Sequence, residues 1–288
     1  MSRRPCTVFI LVDGLGLGVP DPAINPIYSG ACPALCRLLE QHAVPVDAGM
    51  GVPGIPQSAT GQTAIFTGTN AARHMGRHVE GFPGPALREI IRTHNLYDQL
   101  SALGLSCTFA NAYYVSDMVE VESRKIQSVT TVAALKAFGR VRDKDMMLEG
   151  KAVYQDLTRA SLRERGYEGP LRTPGQSGQD FLALARQYDF TLFEYFQTDR
   201  AGHKGTLEDV KRVLGLFDEF LEAVLPFAGE PGHLLVLTSD HGNIEDFGSR
   251  SHSLNPVPLV AIGEGSAFLK QRVKSLTDVT PALVELYR

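Results

Sequence analysis

The sequence predicts an α/β protein: a mostly parallel sheet with helices on both faces and a small inserted cap. Three observations carry this. Short, wholly apolar runs recur along the chain, as expected for strands covered on both faces. They alternate with segments of helical spacing. The rhythm breaks only between residues 113 and 178, which are more polar and rich in arginine and glycine. The expected division is a core formed by 1–112 and 179–288 and a cap formed by 113–178.

Thr7 to Val12 is the first strand, ended by Asp13. Gly14, Gly16 and Gly18 then let the backbone turn, and a Pro-rich loop runs from Pro20 to Pro33. A Gly/Pro loop, 51–56, leads into Ser58-Ala59-Thr60-Gly61-Gln62-Thr63 and an apolar segment, which reads as a loop entering a helix. A helix N-terminus carries unpaired amides and partial positive charge, both suited to a phosphate. Tyr97 to Leu103 is helical, Gly104 stops it, and Ser106 to Ala110 is a strand. After the cap, Gln179 to Gln187 is an amphipathic helix and Phe190 to Phe196 a strand. Leu207 to Leu225 is a helix with its stripe at Val210, Val213, Leu214, Phe217, Phe220 and Leu221. Leu234 to Leu237 and Val257 to Ile262 are strands, and Val279 to Tyr287 is the last helix.

Composition narrows the function. A chain of 288 residues can bury a substantial core, and 43% hydrophobic with 21% charged residues is ordinary for a globular protein. The net charge of −4 gives no support for a general nucleic-acid or anionic-membrane surface. Cys6, Cys32, Cys36 and Cys107 lack zinc-finger partners and read as small buried hydrophobes. The terminal Ser2-Arg3-Arg4-Pro5 and the short apolar run behind it do not make a signal peptide. No run approaches the ~20 apolar residues of a membrane helix. A cytoplasmic protein is expected. Gly14-Leu15-Gly16-Leu17-Gly18 lacks the offset of a dinucleotide fingerprint.

Six metal-binding side chains stand in clusters beside expected strand ends: Asp13, then Asp199 and His203, then Asp240, His241 and His252. Ligands in open α/β sheets bind beyond the carboxyl ends of the strands, so these groups can converge although they are far apart in sequence. Asp199 and His203 lie one helical turn apart, and Gly242 would permit a turn after Asp240-His241. Three carboxylates and three imidazoles suffice for two divalent ions, and the mixture suits Zn²⁺ or Mn²⁺. Two ions about 4 Å apart can clamp a phosphoryl group and activate an oxygen nucleophile. The reading is a two-metal phosphoryl-transfer enzyme with a small phosphorylated substrate.

Five segments carry a resemblance: Val12-Asp13-Gly14, Ser58-Ala59-Thr60-Gly61, Asp199-Arg200-Ala201-Gly202-His203, Thr238-Ser239-Asp240-His241-Gly242-Asn243, and Ser251-His252-Ser253 leading to Pro256-Val257-Pro258. In order and separation the chain resembles the alkaline phosphatase superfamily, in the branch of cofactor-independent phosphoglycerate mutase and phosphopentomutase. The resemblance implies an alkaline phosphatase-like core. It also implies one metal on Asp13, Ser58, Asp240 and His241, and another on Asp199, His203 and His252. Ser58 matches the family's nucleophile and would form a phosphoserine. Thr60 and Thr63 are rival hydroxyls, read as capping or packing residues.

The chain departs from the mutase pattern at Ala59 and Gln62, where that pattern has Glu and His. The region between Ser58 and Asp199 is also too short for the mutases' inserted domain. Hydrolysis of a small phosphate ester is therefore the first reading, a phosphomutase the second, and an inactive metal-binding module the third. A sulfatase would need a Cys/Ser-x-Pro-x-Arg pattern, which is absent here. Two basic clusters, Arg73, His74, Arg77 and His78 after the helix and Arg159, Arg163, Arg165 and Arg172 in the cap, offer cationic forks suited to phosphate, with Arg73, His74, Arg77 and Arg159 as the candidate substrate-binding residues. Glu194 lies in a strand, either behind the metals or facing solvent.

Overall fold

The computed structural model describes residues 4–288; Ser2 and Arg3 of the terminal stretch lie outside the described residues. Eight strands form: β1 (Cys6–Val12), β2 (Ala43–Val46), β3 (Cys107–Phe109), β4 (Asn111–Ala112), β5 (Val153–Tyr154), β6 (Phe190–Tyr195), β7 (His233–Ser239) and β8 (Val257–Gly263). Six make one sheet in the order β2-β8-β7-β1-β6-β3. β3, β6, β1 and β7 are parallel. β8 is antiparallel to β7, and β2 is antiparallel to β8.

These directions position the site. Val12 is level with Tyr195 on one side and Ser239 on the other. Asp13 and Asp240 therefore leave the sheet side by side. Because β8 runs backwards, the loop before it, with His252, starts from the same edge. β2 runs with β7, so its outgoing loop, 47–57, also starts there and delivers Ser58.

Each β1 side chain packs by parity. Phe9 and Leu11 enter the apolar layer covered by the helices Ser58–Thr67, Pro85–Thr93, Leu96–Ser101, Val129–Phe138 and Val279–Tyr287. Val8, Ile10 and Val12 enter the opposite layer, under Pro33–His42, Pro174–Ala185 and Leu207–Val224. All of these β1 side chains are fully buried. Burial of each large apolar one contributes about 1.5–3 kcal/mol. That is why the strands read as continuous apolar runs rather than alternating ones.

The helices Pro33–His42 and Pro85–Thr93 and the strand β2 were not resolved in the sequence reading. The two helices each open on Pro at the first helical position, where its missing N–H costs nothing, so the punctuation resembles a loop. β2 carries Pro45 and sits at the sheet edge, where a strand tolerates proline. Between 113 and 178, Val129–Phe138 joins the main core, while Met147, Ala152, Tyr154, Leu162 and Tyr167 gather with Ala112 into a separate cluster beside the β4–β5 pair. The four cysteines are free; Cys32 and Cys107 are buried. Among the described residues, no helix is long and apolar enough to cross a membrane.

Candidate metal centre

One edge of the sheet gathers the side chains singled out above. Asp13 follows β1, and Asp240 and His241 follow β7. Asp199 and His203 occupy successive turns of the helix Gln197–Lys204, just beyond β6. Ser58 opens the helix Ser58–Thr67. That helix sits tight against the loop after β7: a Cβ on Gly61 would stand 2.6 Å from the Asp240 carbonyl oxygen.

In the first group His241 Nε2 lies 2.9 Å from Ser58 Oγ, 3.1 Å from Asp13 Oδ1 and 3.7 Å from Asp240 Oδ2. In the second, Asp199 Oδ1 is 3.3 Å from both His203 Nε2 and His252 Nε2, which are 2.9 Å from each other. His241 stands between the groups, its ring stacked on His252 with centroids 3.7 Å apart. It is within reach of Asp199 as well as Asp13 and Asp240.

The imidazoles show what these donors face. His203 Nδ1, His241 Nδ1 and His252 Nδ1 each meet a backbone carbonyl, those of Arg250, Gly242 and Pro56. A carbonyl only accepts, so each Nδ1 carries a hydrogen and, in the neutral ring, each Nε2 presents a lone pair. All three Nε2 lone pairs therefore point at carboxylate, hydroxyl or imidazole acceptors. Asp13 Oδ1 is buried with no hydrogen-bond partner. A proton or a metal ion relieves such a set. Donors bound about 2.0–2.1 Å from a tetrahedral ion stand roughly 3.3 Å apart, close to the spacings found here. The residues fit divalent metal.

The titration of the same groups expresses the same demand. Burial, and then the charge of Asp240, raise the Asp13 carboxyl well above its ordinary value. Burial opposes a charged His241, yet the Asp240 and Asp13 carboxylates overcome it and lift the imidazole to about 10. Burial would raise Asp199, but the hydrogen bond from His252 and the charge of His241 bring it down to about 2.

A further layer holds the donors. Gln62 Nε2 donates to Asp13 Oδ2 at 3.3 Å and Asp240 Oδ2 at 3.0 Å, joining two carboxylates that would repel each other. Asn243 Nδ2 donates to Asp199 Oδ1 at 2.7 Å. Glu245, fully buried, accepts from the Gly16 and Asn243 amides through Oε2, and from Ser253 Oγ and Asn255 Nδ2 through Oε1. It thus ties the loops after β1 and β7 to the loop before β8. Gly242 serves this contact rather than a special turn, since a Cβ there would overlap Glu245 and Ser253. Glu194 faces inward, 5% exposed, and accepts from Thr130 Oγ1 at 2.6 Å. Burial pushes it up to about 7. Thr60 and Thr63, the rival hydroxyls, donate to backbone carbonyls. In the sequence Gln62 stands out only as a departure from the mutase pattern, and nothing local marks Glu245. A buried carboxylate whose partners lie in three separate loops leaves no sequence spacing to find it by.

Asp13, Ser58 and Asp199 open onto a cleft of about 530 Å³. Arg73, His74 and Arg77, expected among the substrate ligands, are exposed and do not line it. Arg159 is buried instead in the small cluster, donating to Met147 O and Tyr167 Oη. The arginines that do line the cleft are Arg124, Arg165 and Arg200.

A family profile described as the Metalloenzyme superfamily matches residues 176–288, the stretch that carries Asp199, His203, Asp240, His241 and His252. The fold matches across the chain. An alkaline phosphatase from the Antarctic bacterium TAB5 aligns over 99% of this chain and 99% of its own at a TM-score of 0.58 and 12% identity. A Leishmania mexicana phosphoglycerate mutase aligns over 100% and 96% at 0.63 and 12%. The chain thus has an alkaline phosphatase-like fold. The chain is also similar to curated 2,3-bisphosphoglycerate-independent phosphoglycerate mutases. That of Acetivibrio thermocellus is 33% identical over 108 residues, 35% of this chain, and that of Desulforudis audaxviator is 34% identical over 112 residues, 37% of this chain. The aligned stretch spans only 21% and 22% of those relatives' length.

Proposed function

We propose that this protein transfers phosphoryl groups from a small phosphate ester through a phosphoserine on Ser58, with two divalent ions, Mn²⁺ or Zn²⁺. Asp13, Ser58, Asp240 and His241 would hold one ion and Asp199, His203 and His252 the other. The single observation that carries the reading is the convergence of three imidazole Nε2 atoms, three aspartates and the Ser58 hydroxyl beside one cleft, which Asp13, Ser58 and Asp199 line. When bound, such ions favour the serine alkoxide and neutralise charge on the phosphoryl oxygens.

The chain's own residues supply the rest. Ser58 sits at a helix N-terminus whose amides favour an incoming anion. Its oxygen forms the bond to phosphorus as the ester P–O bond breaks and the alcohol departs with a proton. Arg200, next to Asp199 on the cleft wall, is placed to hold a phosphoryl oxygen by charge-assisted hydrogen bonds. We propose that residues 113–178 act as a cap over this cleft, to which Tyr113, Arg124 and Tyr154 contribute.

The phosphoserine then passes its group to water or to a hydroxyl of the bound product. The names of the curated relatives favour the second course, a phosphomutase, over the hydrolase expected first. Incubating the metal-loaded protein with phosphate esters, with and without added alcohol acceptors, separates the two. Isomerised or transferred ester marks a mutase, and free phosphate alone marks a hydrolase. An absence of turnover with Mn²⁺ and Zn²⁺ across the panel would leave an inactive metal-binding module.

A further inference from the structure

We infer that the natural substrate carries a planar aromatic or heteroaromatic group on its phosphate ester, not a bare three-carbon acid. The inference rests on the phosphoryl-transfer reading for its chemistry, but on a separate set of residues. The cleft wall that includes Ser58 continues onto Phe82, Tyr113, Tyr114, Ile126, Tyr154 and Phe196. Two of these are large apolar side chains left in water at the cleft: Phe82 is 55% exposed and Ile126 62% exposed. Exposed apolar groups concentrated beside a polar reaction centre mark a surface that a ligand covers.

Size agrees. A cleft of about 530 Å³ falls in the range that holds a drug-sized molecule, far more than a phosphoryl group on a three-carbon chain fills. Chemistry agrees as well. Aromatic rings favour offset or edge contacts with another ring, and their polar tips can bond ring heteroatoms. Arg165 already lies over the Tyr114 ring at 5.2 Å and donates to the Tyr114 carbonyl, so that ring is held in place. Arg124 and Arg200 are exposed on the same cleft, and neither pairs with a carboxylate among the described residues; Asp199, beside Arg200, has His203 and His252 as its partners. Apolar wall and free guanidinium forks together suit one molecule with a flat organic part and an anionic end.

The test compares esters that differ only in the organic part. Metal-loaded protein would be assayed with glycerol 3-phosphate and 3-phosphoglycerate, with phenyl phosphate, and with nucleoside 5′-monophosphates. The expectation is a kcat/KM at least about tenfold higher for the aromatic esters. The simple aryl and nucleoside arms distinguish which kind of ring is preferred. The double variant Phe82→Ser, Ile126→Ser should shrink that preference, chiefly through KM. Equal or better turnover of the small polar esters, or an unchanged ratio in the double variant, overturns the inference. Binding is read separately, by calorimetry on metal-loaded Ser58→Ala with phenylphosphonate and methylphosphonate. If no ester turns over, the phosphoryl-transfer reading falls. The substrate class then stands or falls on whether the phenyl compound binds more tightly.

Discussion

At the scale of single residues, the centre depends on two kinds of group: those that would touch an ion and those that aim them. Ser58→Ala should abolish turnover and the phosphoserine while leaving the fold intact, since Ser58 Oγ makes no bond but that to His241. Mass spectrometry of protein quenched during turnover checks it; a phosphorylated Ser58→Ala protein would reassign the nucleophile. Glu245 is the aiming residue with most at stake. In Glu245→Gln one oxygen becomes an NH₂ that must face donors, so one of the three loops loses its anchor. Metal affinity should fall by about 10–100-fold, the usual cost of losing such support. A competition titration with a chromogenic chelator measures this, and unchanged affinity would make Glu245 a packing residue only. His241 yields a pH prediction. In metal-free protein its folded value is raised to about 10, so a proton occupies it at neutral pH. Metal must displace that proton, and apparent affinity should climb as pH rises towards 10. The sign follows from the raised value: the protonated imidazole stabilises the metal-free fold below the ordinary histidine range, and that contribution is lost as pH passes about 10. Titrations at several pH values decide it, a flat profile being the contrary outcome.

At the scale of elements, the helix Ser58–Thr67 is the piece most closely fitted to the site. Nine of its ten residues are buried, so it cannot shift without disturbing the core. Gly61 lets it approach the Asp240 backbone. Gly61→Ala would favour the helix intrinsically by about 1 kcal/mol, yet its Cβ would meet the Asp240 carbonyl at 2.6 Å. The contact should win, because backbone cannot yield as a flexible side chain does. We expect a lower melting temperature together with weaker metal binding. A more stable variant with unchanged affinity would mean that the loop after β7 gives way freely. The strand β8 matters equally. Its reversed direction, not its sequence, brings His252 to the edge where Asp13, Asp199 and Asp240 emerge.

At the scale of the whole molecule, the loaded centre should act as a clasp. Its proposed donors come from five separate places in the chain, and an ion bound only by the folded state stabilises it by mass action. At a thousandfold excess over Kd that amounts to about 4 kcal/mol. Chelation should therefore lower the melting temperature measurably, and restoring Zn²⁺ or Mn²⁺ should recover it. Scanning calorimetry tests this; a melting temperature indifferent to chelator would show that the donors are held by the apolar layers alone.

The apolar strands, the helices at Leu207–Val224 and Val279–Tyr287, and the aspartate and histidine side chains that converge were all legible in the chain, because period and residue type are local properties. Asp199 and His203 could be paired from their spacing, and Ser58 could be placed at a helix start. The union of the donors could not be read locally. It depends on Val12 lying level with both Tyr195 and Ser239, and on β2 and β8 closing the sheet with the directions that they have. Register and strand direction are settled by packing between distant segments, and so are the bonds of Gln62 and Glu245 and the choice of Arg165 from the cap cluster, with Arg124 and Arg200 and without Arg73, His74, Arg77 or Arg159, at the cleft. Sequence by itself determined which chemistry was on hand; tertiary structure alone decided which groups meet, because that is a matter of three-dimensional neighbourhood and not of spacing along the chain.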